Sequence, residues 1–161
     1  MWEQARLLES LAARGETLAT AESLTGGMLA ERLTDVPGAS RVFVGGVVSY
    51  ATRLKVELLG VPARVVEAYG VVSRECACEM AKGARDRLGA TWGVATTGVA
   101  GPDLQDGLPA GTVWVAVALP GGAAEARLLS LSGDRAGIRA AACDGALALL
   151  ADQVPDLRRE E

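Results

Sequence analysis

Apolar and polar positions along this chain follow two rhythms, one of helices and one of strands. Between residues 2 and 14, Leu7, Leu8 and Leu11 recur at helical spacing, and Gly15 follows as a stop. "TLATA" (17–21) reads as a short strand, and "SLTGGMLAERLTD" as a turn feeding a helix, with Ser23 or Thr25 near the N-cap. After the loop "VPGAS", the run "RVFVGGVVSYA" is apolar and rich in β-branched residues, the pattern of a buried strand. Gly45 and Gly46 within it suggest a bulge or a close backbone approach. "TRLKVELLG" predicts a short helix closed by Gly60, and "PARVVEAYG" predicts another from Pro62. "SRECACEMAKGARDRLG" predicts a longer helix capped by Ser73, with Glu75 in its first turn. "TWGVATTG" (91–98) reads as a strand, "VAGPDLQDGLPA" as a loop, "GTVWVAVALP" as a strand before a Gly-Gly turn, and "EARLLSLSG" as its hairpin partner. The final helix is "DRAGIRAAACDGALALLADQ", with Asp134 as N-cap, and "DLRREE" is expected to fray.

Strands alternating with helices and closing on one hairpin predict an α/β protein. The expected architecture is a three-layer α/β/α sandwich around a mixed, mostly parallel sheet of about five strands. No repeat, low-complexity tract or linker-length loop divides residues 1–161, so one domain is expected. The apolar second-strand segment leaves room for self-association, and a homo-oligomer, a dimer first, is the expectation for partners.

Composition narrows the chemistry. The net charge is −4 with both signs scattered, and no basic run with interleaved aromatics supports nucleic-acid binding. No apolar run approaches the roughly 20 residues of a membrane helix. "MWEQARLLES" carries an early acid and no apolar signal-peptide stretch. Three cysteines, Cys76, Cys78 and Cys143, fit free thiols in a reducing cytoplasm. There is no histidine, which excludes a Ser-His-Asp triad and any Cys/His or two-His metal site. A general base must come from Lys, Tyr, Asp, Glu or a cysteine thiolate.

The chain has fourteen arginines and two lysines. Arg keeps its proton at any working pH, whereas a buried Lys can lose it, so Lys55 in "SYATRLKVELLG" is a candidate for proton chemistry. Ligands of open α/β sheets collect outside the carboxyl ends of the parallel strands. Those ends carry Glu22 and Ser23, then Ser49 and Tyr50 with Lys55 a turn further on, then Thr96, Thr97 and Gly98. The set fits a serine nucleophile activated by lysine. Such a lysine must be buried and lack a carboxylate partner, and Glu22 is the nearby acid that threatens this. Each residue also has an ordinary reading: Ser23 as an N-cap, Tyr50 as a strand-end aromatic, Thr97 as a turn residue. "TGG" opening a helix suits an oxyanion or phosphate, but it lacks P-loop or dinucleotide spacing, so neither ATP nor NAD is expected as a cofactor.

Taken together, "AESLTGGMLAERLTDVPGASRVFVGGVVSYATRLKVELLGV", "GVVSRECACEMAKGAR", "ATTGVAGP", "GTVWVAVA" and "GDRAGIRAAACDGALALL" closely resemble the CinA C-terminal domain family. Its characterised members are nicotinamide mononucleotide deamidases. The resemblance implies hydrolysis of that carboxamide to nicotinic acid mononucleotide and ammonia, by a serine–lysine pair without metal. The family's serine falls on Ser23, its tyrosine and lysine on Tyr50 and Lys55, and its threonine on Thr97. An arginine for the phosphate falls on Arg135 or Arg139. Thr25, Gly26, Gly27 and Gly98 complete the implied substrate-binding set, with the oxyanion held by N–H groups near Gly26 and Gly27 or by the Thr97–Gly98 turn. Tyr50 is expected to relay a proton or hold the lysine. Two departures stand out: Leu24 replaces the family's cysteine, and "DLQDGLPA" replaces glycines, so that Asp103 and Asp106 oppose a phosphate. Many members carry a further N-terminal domain, which this sequence is not expected to include. A non-catalytic nucleotide- or partner-binding module and an amidase for another small carboxamide are the alternatives.

Overall fold

The computed structural model describes residues 2–158, Trp2 by its backbone alone. In chain order the elements are α1 (Trp2–Ala13), β1 (Leu18–Glu22), α2 (Met28–Thr34), β2 (Phe43–Val48), α3 (Thr52–Glu57), α4 (Ala63–Tyr69), α5 (Arg74–Arg87), β3 (Trp92–Gly98), β4 (Thr112–Ala118), β5 (Ala124–Ser130) and α6 (Arg135–Gln153). Short 3-10 turns lie at Ala39–Arg41 and Pro155–Leu157. The last three residues of the segment expected to fray lie outside the described residues, and Asp156 and Leu157 belong to the second of these turns.

The sheet order is β2-β1-β3-β4-β5. β1 pairs in parallel with β2 and β3, whereas β3–β4 and β4–β5 are antiparallel. Every strand except β4 therefore runs in one direction, and the expected mixed α/β/α sandwich is what forms. The central strands β1 and β3 are buried along their whole length. Strand alternation sends Leu18, Val94, Val113 and Val115 to one face, against Leu7, Leu11, Leu29 and Ile138 of α1, α2 and α6. Ala19, Ala21, Ala95 and Ala116 go to the other, against Ala77, Met80, Ala81 and Ala84 of α5.

The second face packs small residue on small residue, and this brings α5 close to the sheet. A Cβ on Gly93 of β3 would collide with the Ala81 carbonyl oxygen, and one on Gly83 with that of Leu59. Caps hold the helix in place: Ser73 Oγ accepts from Cys76 N at 3.1 Å, and Asp134 Oδ1 does the same for α6 from Gly137 N at 2.8 Å.

One strand departs from expectation. The segment around β2 reads as buried, yet β2 is the sheet edge, with half-buried and exposed positions alternating and Val44 and Val48 on the outside. Its valines mimic a central strand because periodicity reports apolarity and not neighbour count. Both expectations for its glycines are met. The β1–β2 register slips between Phe43 and Gly45, leaving a bulge, and a Cβ on Gly46 would strike Thr20 Oγ1. Among the described residues no helix is long and apolar enough to cross a membrane.

The close α5–sheet contact predicts that Gly93→Ala lowers unfolding stability by about 1–3 kcal/mol through overpacking. Gly122→Ala, whose added methyl meets nothing nearer than 3.6 Å, is expected to stay within about 0.5 kcal/mol. Denaturant midpoints of the two variants check this.

Candidate active site

The site begins where β1 ends. Alternation along β1 turns Glu22 toward the α2–α6 face and Ser23 toward the α5 face. Ser23 N donates to the Thr96 carbonyl at 3.0 Å, which continues the parallel ladder one residue past the strand. Glu22, buried, accepts from Leu29 N at 2.8 Å, Ala30 N at 3.1 Å and Thr25 Oγ1 at 2.6 Å. Thr25 gives its only hydroxyl proton to Glu22, so Thr96 Oγ1 must be the donor in the 2.8 Å Thr96–Thr25 contact. The start of α2 is therefore capped by a carboxylate from the preceding strand. The residue before α2 is Gly27, in the left-handed region at φ 107°, and neither Ser23 nor Thr25 is the N-cap. This also removes the threat from Glu22: its charge is spent on the opposite face from the lysine.

Lys55 comes from α3 and is 1% exposed. Its Nζ donates to the Ser49 carbonyl at 2.7 Å, to Ser23 Oγ at 3.0 Å and, weakly, to the Tyr50 carbonyl at 3.4 Å. Among the described residues no carboxylate makes an ion pair with it. Glu57, two residues on, pairs instead with Arg53 at the surface. Burial pushes the Lys55 pKa below the ordinary lysine value, and the neighbouring Cys76 opposes this more weakly. A neutral amine has two hydrogens and one lone pair. With the hydrogens on the two carbonyls, the lone pair faces Ser23 Oγ. Burial raises the cysteines, Cys76 to about 11 and Cys143 to about 12, so both stay protonated thiols and leave the base role to the lysine.

A cleft of about 360 Å³ opens above this pair. Ser23, Lys55, Tyr50, Thr97, Gly98 and Arg135 all border it. Thr97 Oγ1 donates to the Val71 carbonyl at 2.7 Å, so toward the cleft it offers lone pairs and no proton. Of the two roles expected of Tyr50, a proton relay or a hold on the lysine, the contact present is of the second kind and is made by the backbone: the Tyr50 carbonyl accepts from Nζ, whereas the phenol oxygen accepts from Arg135 Nη2 at 3.2 Å. Tyr50 is 60% exposed, because strand alternation past β2 carries its side chain outward. Asp103, Leu104 and Gln105 form part of the wall, where the loop was expected to border a pocket.

Four expected binding residues lie behind the cleft instead. Thr25 is buried in the Glu22 network, and Gly27 forms the turn into α2. Gly26 N donates to the Ser23 carbonyl at 3.1 Å, so that N–H is no longer free for an oxyanion. Arg139 donates from Nε to Leu24 O at 2.9 Å and from Nη2 to Thr25 O at 3.1 Å, which leaves Arg135 as the arginine that reaches the cleft. The groups that sequence reasoning missed are main-chain ones, the carbonyls of Ser49 and Val71 and the Gly101 carbonyl that Arg135 holds. Backbone atoms carry no residue-type signature by which they could have been found.

Fold and site together define a class: a mixed α/β sandwich with a serine and a buried, unpaired lysine meeting at the carboxyl ends of its parallel strands. Comparison with known proteins supplies the family. The CinA C-terminal domain profile matches residues 3–154, and the chain belongs to that family. It is 50% identical over 96% of its length to a CinA-like protein of Frankia casuarinae, of which that match covers 36%. It is 47% identical over 83% of its length to a putative competence-damage inducible protein of Desulforamulus reducens, covering 32% of that protein. The chain thus spans about a third of the length of these curated relatives. Among solved structures, a CinA superfamily protein of Klebsiella pneumoniae superposes with a TM-score of 0.91 at 35% identity, covering 96% of this chain and 97% of that one. The Agrobacterium tumefaciens competence/damage inducible protein CihA gives 0.84 at 34% identity, covering 92% and 93%.

The buried amine sets a sign for stability. Its pKa is lower folded than unfolded, so below the ordinary value of 10.5 the unfolded chain binds the extra proton and the lysine opposes folding. Lys55→Met is expected to be more stable relative to wild type at neutral pH than at high pH. The difference narrows as pH rises toward 10.5, as read from denaturant midpoints across that range.

Proposed function

We propose that this protein is an amidohydrolase that converts nicotinamide mononucleotide to nicotinic acid mononucleotide and ammonia through Ser23 and Lys55. The observation that carries the reading is the 3.0 Å approach of a buried amine without a carboxylate to the Ser23 hydroxyl. A hydroxyl is a poor nucleophile until a base takes its proton, and the Lys55 lone pair is placed for that. As Oγ bonds the carboxamide carbon, its proton passes to Nζ and the carbonyl oxygen becomes negative. Free backbone N–H groups beside the serine hold that oxygen. Lys55 then returns the proton to the departing nitrogen, the C–N bond breaks and ammonia leaves. Water, deprotonated by the same amine, hydrolyses the ester and restores the serine. Arg135, at the cleft mouth, supplies a guanidinium for the phosphate.

Asp103 on the same wall favours a second reading. Its carboxylate opposes a phosphate and suits a small carboxamide that lacks one. Comparing nicotinamide mononucleotide with its unphosphorylated riboside separates the two.

Ammonia release is the direct assay. Ser23→Ala and Lys55→Arg are each expected to lower it by about a thousandfold or more, and the double variant to be little worse than either, because the pair acts as a unit. Arginine keeps the charge but cannot serve as a base. Full activity in Lys55→Arg rejects the mechanism. Wild-type kcat/KM should rise with pH along a limb whose midpoint lies below 10.5, since the neutral amine is the active form. Arg135→Ala should raise KM for the phosphorylated substrate about tenfold and leave the riboside unaffected. Nucleotide binding without ammonia release from wild type would instead indicate a binding module.

A further inference from the structure

Arg135 and Arg139 lie one turn apart on α6, and they do different things. Arg135 reaches the cleft, whereas Arg139 reaches behind Ser23 to the carbonyls of Leu24 and Thr25. We propose that Arg139 is a positioning residue for the nucleophile: it clamps the turn that follows Ser23 so that the Leu24 N–H is held at the cleft for the oxyanion. This rests on Ser23 being the nucleophile of the proposed reaction.

The turn explains why a clamp matters. Gly26 N closes it by donating to the Ser23 carbonyl, and Met28 N donates to the Thr25 carbonyl at 3.0 Å. Among the described residues the N–H of Leu24, a central residue of the turn, has no acceptor, and Leu24 borders the cleft beside Ser23, whereas Thr25 is buried. A peptide group is planar, with C=O and N–H on opposite sides. Holding the carbonyls of Leu24 and Thr25 therefore fixes the planes of two successive peptides, and with them the backbone of Leu24 at the cleft. The guanidinium also polarises the Thr25 peptide, which makes the Gly26 N–H a stronger donor to the Ser23 carbonyl and, through that bond, the Leu24 N–H of the same peptide a stronger donor in turn. The clamp needs two donors in a fixed fork, which Arg has and Lys lacks. Gly26 suits the turn by its left-handed φ of 58°, and a Cβ there would make only ordinary contact with Arg139 Nη2, at 3.5 Å. The cleft itself gains nothing from Arg139 directly, since it is not among the lining residues.

The test measures Ser23 with a reagent that does not depend on substrate identity. A fluorophosphonate phosphonylates an activated serine: the Oγ–P bond forms, the P–F bond breaks, fluoride leaves and the serine proton passes to Lys55. Its P=O oxygen develops the same negative charge that the Leu24 N–H would hold. For Arg139→Met, the phosphonylation rate, followed by intact mass, and kcat for ammonia release are both expected to fall about tenfold or more. KM should change less than about twofold, and the pH midpoint of the rate should not move, since the lysine is untouched. Arg139→Lys, which preserves the charge and one donor, should recover part of the rate, and it serves where the methionine variant fails to fold. Wild-type phosphonylation rates in both variants overturn the proposal while leaving the serine–lysine reading intact. A raised KM with kcat preserved also overturns it and assigns the guanidinium to substrate. Wild type that is phosphonylated but releases no ammonia from nicotinamide mononucleotide removes that substrate, and the labelling rates still decide on Arg139. Wild type inert to the reagent and to the substrate overturns both.

Discussion

An amine held inside the protein without a carboxylate is the constraint around which the cleft is arranged. Burying Lys55 disfavours its charged form, and the structure does not relieve this with a counter-ion. Two backbone carbonyls and a hydroxyl receive it instead. Nearby acids are kept from it in two ways. Glu22 faces the other side of the sheet, where two helix N–H groups and Thr25 satisfy it, and Glu57 turns to the surface with Arg53. One carboxylate in contact with Nζ would favour the ammonium and remove the lone pair from the serine.

The strand geometry does this sorting. Adjacent residues at the end of β1 go to opposite faces, so Glu22 builds the α2 side while Ser23 enters the cleft. Thr96 and Thr97 divide in the same way at the end of β3, the first into the glutamate network and the second onto the cleft wall. The parallel register that pairs Glu22 with Thr96 keeps the two polar networks a sheet thickness apart. One network fixes the backbone that carries Ser23, and the other lines the cleft. The alanine-rich packing of α5 against the sheet brings Cys76 and the helix body under Lys55 and excludes water from below.

Much of this was legible in the chain. Helical spacing, Gly stops and Ser/Asp caps located the helices, because each signal has a local cause that operates within a few residues. Composition also singles out Lys55, since an arginine-biased chain keeps a lysine beside strand-end hydroxyls and a buried lysine can lose a proton that arginine holds. The edge position of β2 was not legible: its valines satisfy a buried pattern, and only the order of strands in the sheet decides which strand has one neighbour. Arg135 and Arg139 could not be told apart either, because they share a helix face and differ only in what stands opposite them.

The sequence by itself therefore determined the elements, their alternation and the stock of chemical groups at the strand ends, for these depend on near-neighbour periodicity and side-chain type. Tertiary structure alone decided which groups meet. It set the amine against Ser23 and not Glu22, gave the Tyr50 phenol to Arg135, and turned Arg139 to the back of the turn after Ser23. Such meetings join residues far apart in the chain, and they depend on sheet order, register and main-chain atoms that every residue type shares.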